Sequence, residues 1–140
     1  AAPAEEPAPE MPAAEAAEEQ APAGAMDEGA ILASLTGDAG AGERVFRKCS
    51  ACHMIGPDAR NRVGPRLTGV IFRPAASIED FRYSRAMQAM GEQGLVWTPE
   101  VLFEYLERPR DYVKGTSMAF AGLRKPEDRH DVIAFLASFE

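Results

Sequence analysis

The two cysteines of the chain lie in one short motif, Cys49-Ser50-Ala51-Cys52, and His53 follows directly. Two cysteines cannot build a multi-disulfide framework, so both sulfurs serve one local purpose. Cys-x-x-Cys-His is typical of covalent haem attachment, because two thiols one helical turn apart can add to the two vinyl groups on one edge of a porphyrin. His53 would then lie beneath the iron as one axial ligand. The motif therefore predicts one haem c.

Three other interpretations of the motif are a redox dithiol, half of a zinc site and a chance pair. A redox dithiol normally lacks the following histidine and lies in a strand–helix unit. Zinc requires a fourth ligand, and the only other histidine is His130, in the predicted terminal helix. Haem attachment is the interpretation that the residues favour.

The second axial ligand must come from a distant part of the chain, and Met118 is the best candidate. It lies in a stretch without helical pattern, Lys114 to Phe120, where Gly115 and small neighbours permit close approach to a ring. A loop methionine is more often core filler than a ligand, but the haem motif favours ligation. The other methionines lie in the acidic tail, beside the histidine or in a predicted helix: Met11, Met26, Met54, Met87 and Met90.

The net charge of -7 arises from the N-terminal segment. Residues 1–28 contain eleven alanines, five prolines and eight acidic residues, with no Lys or Arg, so the remainder is close to neutral at +1. With no aromatic or β-branched residue, these 28 residues cannot bury enough apolar surface to offset the entropy of ordering. We predict a disordered acidic linker over residues 1–36 and one folded domain over residues 37–140. A processing remnant without a role is the alternative for the tail.

Apolar residues at helical spacing predict an all-α domain. One helix begins after Asp38 and runs through Lys48 into the cysteines, and a short one covers Ser84 to Gly91. A third has Thr98 as cap and ends before Pro109. The last begins at Pro126 and continues to the terminus. Glycines and prolines between Cys52 and Ser84 predict a long loop, which is unusual in a small domain unless it wraps a large cofactor.

On these features the chain resembles a class I cytochrome c over residues 37–140, in particular the bacterial membrane-anchored type with an Ala/Pro/Glu-rich linker. The segments that carry the resemblance are Gly42 to Phe46, Cys49 to His53, Val63 to Pro65, Tyr83-Ser84, Trp97, Tyr105-Leu106 and Lys114 to Leu123. The resemblance implies crossing N- and C-terminal helices, with Gly42 and Phe46 against the region of Val132 and Phe135, and long loops around one haem.

The resemblance also implies roles for individual residues. The Pro65 carbonyl would accept the ring N–H of His53, and Tyr105 would touch the axial Met118. The residues at positions that bind haem propionates in the family are Arg73, Tyr83, Trp97 and Thr116. Four positions depart from the common family pattern, which predicts a less rigid ligand loop: Arg66, Thr68, Lys114 and Ser117.

By resemblance, the expected function is that of a single-electron carrier, not an enzyme. The donor would be a quinol-oxidising cytochrome bc complex and the acceptor a terminal cytochrome c oxidase of a respiratory chain. The alternatives are a haem domain of a larger redox enzyme, or a peroxide- or gas-binding protein if Met118 is labile. We expect the protein to be a monomer and to have no nucleic-acid partner.

The expected location is the bacterial periplasm, because haem c is attached outside the cytoplasm. No run of about 18 apolar residues occurs in the sequence, so a membrane tether would need an anchor that precedes Ala1. A chain that starts Ala-Ala-Pro fits a cleaved export signal, a removed anchor or a trimmed protein equally well.

Overall fold

The computed structural model describes residues 36–139, and nearly all of the predicted linker 1–36 lies outside this range. The helices are α1 (Ala39–Phe46), α2 (Arg85–Glu92), α3 (Pro99–Glu107), α4 (Pro109–Tyr112) and α5 (Pro126–Ala137). Within residues 36–139 the backbone forms no strand, and Pro74 and Val96 make an isolated antiparallel bridge. The all-α prediction is confirmed. None of the helices in the described range has the length and apolar content to cross a membrane.

Helices α1 and α5 cross at a glycine. A Cβ on Gly42 would overlap the backbone carbonyl of Asp131 and lie 2.8 Å from Cβ of Phe135, so only glycine permits this approach. The Phe46 and Phe135 rings pack beside the crossing with centroids 5.3 Å apart. Asp131 also accepts a 2.8 Å hydrogen bond from the Asp38 amide. The terminal helices are therefore joined by close backbone contact and by a polar link at the start of α1.

The end of α1 differs from the prediction that this helix continues through Lys48. The amides of Arg47, Lys48 and Cys49 bond to carbonyls three residues back, at 3.2, 3.0 and 2.7 Å. The backbone thus tightens from an α-helix into successive turns after Phe46. The His53 amide then bonds to the Cys49 carbonyl at 3.0 Å, which closes a turn around the cysteine pair.

Helix α3 begins directly after its predicted cap, Thr98, and α2 begins at Arg85, one residue after the predicted start at Ser84. The Ser84 hydroxyl accepts from the Met87 amide and the Thr98 hydroxyl from the Val101 amide, both at 3.1 Å. Pro109 ends α3 as predicted, but it also opens α4, which was not predicted. Proline at a first helical position lacks only an amide that would have no partner there, so one residue serves both helices.

The long loop between α1 and α2 is held by side chains that bridge it. Thr68 Oγ1 accepts from the Gly56 amide at 2.8 Å and donates to the Gly56 carbonyl at 2.6 Å. Asn61 accepts from the Arg66 amide at 3.0 Å and donates to the Asp80 carbonyl at 3.2 Å. These hydrogen bonds fix the conformation of the loop within the domain.

Candidate haem site

The turn after α1 presents two half-buried free cysteines. Burial, together with the nearby Cys52, raises the pKa of the Cys49 thiol to about 11. This thiol is therefore neutral at physiological pH, unlike the thiolates of reactive dithiols or zinc sites. A thioether has no ionisable proton, so covalent attachment suits this burial. Within residues 36–139, no group of three or more His, Cys, Asp or Glu side chains is placed to hold a metal ion.

The imidazole of His53 is oriented by the loop that follows it. Its Nδ1 lies 2.7 Å from the Pro65 carbonyl oxygen. A carbonyl only accepts, so Nδ1 carries the proton and Nε2 keeps its lone pair for a metal. Burial lowers the pKa of His53, the Pro65 hydrogen bond opposes this, and nearby Arg73 lowers it further. The neutral ring that results is the form that ligates iron.

Gly64 packs against the face of that ring. A Cβ on Gly64 would collide with the His53 ring, and Gly64 itself is buried. Its amide donates to the Cys52 carbonyl at 2.9 Å, so this segment is tied to the cysteine turn. No separate function was predicted for Gly64 from the sequence, although its place beside Pro65 was a usable signal.

Met118 lies half-buried in the described segment between α4 and α5. Its amide donates to the Thr116 hydroxyl at 3.2 Å, and its sulfur accepts from the Tyr105 hydroxyl at 3.5 Å. Tyr105 is buried on α3 with its ring 4.7 Å from that of Trp97. Met118 is thus held by two polar contacts, one from its backbone amide to its own loop and one from α3 to its sulfur.

Arg73, Tyr83 and Trp97 come from separate segments. The Trp97 amide donates to the Arg73 carbonyl at 3.0 Å, which places these two residues side by side. Tyr83 lies beyond a turn, where its hydroxyl oxygen accepts from the Ile78 amide at 3.1 Å. The hydroxyl hydrogen of Tyr83 is then available to an acceptor. Thr116 is placed differently, since its hydroxyl accepts the Met118 amide.

The charge of Arg73 fits an anionic group. Burial lowers the pKa of its guanidinium, nearby Tyr83 opposes this shift, and the charge of Arg66 adds to it. Its Nε is buried without a hydrogen-bond partner among residues 36–139, and one terminal nitrogen donates to the Thr68 carbonyl at 3.3 Å. Arg73 as a whole is half-buried, but a buried donor without a partner is costly unless an acceptor such as an anion pairs with it. Two thiols, a neutral imidazole, a thioether and this unpaired cation together fit a haem with its carboxylates.

Two buried or bridging side chains were not found by the sequence analysis. Asn61 links two parts of the long loop, and nothing in its local sequence marks it. Arg129 is buried on α5 at 5% exposure. It shares the helical spacing of the buried Val132, Ile133 and Leu136, and a cation in such a series was a signal that could have been noticed.

Comparison with known proteins identifies the family. No family model matches the chain. Cytochrome c2 of Afifella marina is 54% identical over 100 residues, which cover 71% of this chain and 81% of that protein. Cytochrome c2 of Agrobacterium tumefaciens is 48% identical over 100 residues, covering 71% and 90%.

A solved structure agrees with these sequence matches. Cytochrome c2 from Rhodospirillum centenum superposes with a TM-score of 0.71 at 44% identity, covering 74% of this chain and 98% of that one. The expected fold is therefore confirmed. The chain belongs to the class I c-type cytochromes: it is a haem-based electron carrier with one covalently attached haem c, and not an enzyme.

Proposed function

We propose that this protein relays single electrons from a quinol-oxidising cytochrome bc complex to a terminal cytochrome c oxidase, with His53 and Met118 as its axial iron ligands. Haem iron held by an imidazole and a thioether takes up and releases one electron at a positive potential. The observation that carries the proposal is the pair of prepared ligands. His53 is held in one tautomer by Pro65, and Met118 is held by Tyr105 and Thr116.

The residues around these ligands have supporting roles. Cys49 and Cys52 would hold the haem covalently, so His53 stays in register with the iron. Arg73 and Tyr83 each offer a free donor to a carboxylate, and Trp97 and Thr116 are proposed to complete that side of the site. Because Trp97 and Tyr105 are buried, water is kept from this part of the site, which favours the less charged reduced state.

A basic surface beside the cysteine turn supports docking to acidic partners. Arg47, Lys48, Arg60 and Arg62 are exposed, and Arg62 donates to the Ser50 carbonyl at 3.2 Å, which places its charge next to the turn. The adjacent Val63 is 77% exposed, and among the described residues it is the one large apolar side chain that is exposed. An apolar group among cations suits an interface with a small dry centre and a charged rim.

Electron transfer to the oxidase as a function of salt tests this docking. We expect the second-order rate to fall steeply as salt rises, and Arg62→Gln to slow the reaction at low salt and flatten the salt response. Arg85→Gln is the matched control, because Arg85 is also exposed but lies at the start of α2. A rate that does not change with salt would count against the proposed partners.

We further propose a periplasmic location and a tether formed by residues 1–36. The support is the composition of the tail, in which acidic residues and prolines favour an extended chain. Fractionation of the producing cells and mass spectrometry of the native gene product test this part. An untethered product in the periplasmic fraction would support the proposed location and refute the proposed tether.

A further inference from the structure

We propose that Arg129 is a positioning residue for Met118, and that it acts by fastening the end of the Met118 loop to α3. The proposal rests on the proposed ligation of iron by Met118. It adds a residue on α5 whose hydrogen bonds and ion pair within residues 36–139 go to Phe103, Arg124 and Glu107, and it assigns a purpose to a buried cation that the haem site does not use.

Arg129 joins three parts of the domain. One terminal nitrogen donates to the Phe103 carbonyl on α3 at 3.0 Å, and the other to the Arg124 carbonyl at 3.4 Å. Its guanidinium carbon lies 4.0 Å from the centroid of the Phe103 ring, and Glu107 approaches to 3.6 Å. The planar fork of an arginine suits this arrangement, because it can serve two carbonyls on different elements at once.

The place where Arg129 acts is the end of the loop. The Leu123 amide donates to the Leu106 carbonyl at 2.7 Å. A Cβ on Gly122 would overlap the Glu107 carbonyl, so the backbone lies directly on the last turn of α3. The Arg124 carbonyl, held by Arg129, is the next fixed point along the chain. Residues 117–122 make no backbone–backbone hydrogen bond outside helices in the described structure. Their polar contacts are to side chains, from the Met118 amide to the Thr116 hydroxyl and from Arg124 to the Ala121 carbonyl at 3.4 Å.

The same turn of α3 carries Tyr105, which contacts the Met118 sulfur. Arg129 therefore sets the separation between the helix that contacts the sulfur and the loop that carries it. If the loop end is released, Met118 keeps its local contact with Thr116 but loses its fixed distance from Tyr105. A thioether is a weak ligand, so its bond to iron depends on this positioning.

A buried cation is an energetically costly way to join the end of the Met118 loop to α3. Arg129 is 5% exposed, and its Nε is buried with no hydrogen-bond partner within residues 36–139. Removing one partner of an ion pair is costly when a buried charge is left behind, but the remaining partner here, Glu107, is 46% exposed. Methionine would keep an apolar side chain beside the Phe103 ring and remove both donors, which separates the fastening from the packing.

The experiment compares holoprotein variants. Arg129→Met removes the fork, and Arg129→Lys keeps a charge without the fork. Phe135→Leu is the control, because it weakens α5 on the side that faces α1. Two quantities are measured in each: the near-infrared sulfur-to-iron band of the ferric protein during heating, and hydrogen exchange of the Leu123 amide relative to the Gly42 amide.

We expect Arg129→Met to raise the exchange of Leu123 relative to Gly42 by about tenfold, and to lose the band well below its unfolding temperature. Arg129→Lys should fall between Arg129→Met and the wild type. Phe135→Leu loosens the α1–α5 crossing at Gly42, so it should not raise the ratio of Leu123 to Gly42 exchange, and it should keep the band up to unfolding. A band retained by Arg129→Met up to unfolding, or a ratio no higher than that of the wild type, would overturn the positioning role. A wild-type protein without the band would instead refute the ligation by Met118 on which the proposal depends.

Discussion

The Nδ1 atom of His53 lies 2.7 Å from the carbonyl oxygen of Pro65, twelve residues further along the chain. This contact fixes the tautomer and the rotation of the ring, and Gly64 leaves room for it by packing against the ring face. A tight turn around the cysteines and a loop bearing Gly64 and Pro65 thus combine to orient one imidazole. The fold therefore orients the His53 imidazole without help from a partner protein.

Gly64→Ala tests this preparation. The added methyl group would collide with the His53 ring, so the ring or the loop must move. We expect a loss of about 1 to 3 kcal/mol in the free energy of unfolding and a changed reduction potential. Urea unfolding and redox titration measure the two effects. Gly40→Ala is the control, since a Cβ there makes an ordinary 3.5 Å contact with Asp38, and an equal loss in this variant would refute the explanation.

Met118→Ala removes the proposed sixth ligand. We expect the ferrous variant to bind carbon monoxide readily, because nothing else in its loop offers a thioether. The optical spectrum under carbon monoxide measures this, with Met87→Ala on α2 as the control. A wild-type protein that already binds carbon monoxide as readily as Met118→Ala would favour the gas-binding alternative.

Tyr105→Phe removes the hydroxyl that contacts the Met118 sulfur. This donor withdraws electron density from the sulfur and so favours reduced iron. We expect the midpoint potential to fall by about 20 to 60 mV, the equivalent of one ordinary hydrogen bond in a one-electron couple. Tyr112→Phe is the control, since the Tyr112 ring packs edge-on to Tyr105 at 5.9 Å. Equal shifts in the two variants would attribute the effect to packing.

Asn61→Ala tests the bridge across the long loop. The side-chain amide of Asn61 accepts from the Arg66 amide and donates to the Asp80 carbonyl. Neither group lies in a helix, so no helical hydrogen bond replaces the lost partner. We expect destabilisation of about 1 to 3 kcal/mol in urea unfolding. Asp80→Asn breaks the exposed 3.3 Å ion pair with Arg66 and should cost below about 1 kcal/mol. A larger loss from Asp80→Asn than from Asn61→Ala would contradict this order.

The parts of the structure that follow local rules could be predicted from the sequence. The caps Ser84 and Thr98 and the cysteine motif act within a few residues, so their patterns mark the start of α2, the start of α3 and the haem attachment. The end of α1 and the start of α4 were not predicted, because tightened turns and a proline that both ends and opens a helix leave the hydrophobic spacing almost unchanged.

The contacts that hold the loops could not be read from the sequence. Asn61 bonds to a carbonyl nineteen residues away, and Arg129 to one 26 residues away. Such partners are set by the folded arrangement, and an isolated asparagine or arginine carries no sign of them. The resemblance to a family supplied the residue roles around the haem, whereas the structure supplied Gly64 and Arg129.

The near-infrared absorption spectrum of the ferric wild-type protein tests the central claim most directly. Ligation by the Met118 sulfur predicts a weak sulfur-to-iron charge-transfer band that is absent in Met118→Ala and present in Met87→Ala. A wild-type spectrum without this band would contradict His53 and Met118 as the axial pair, and with it the account of this chain as a His/Met-ligated electron relay.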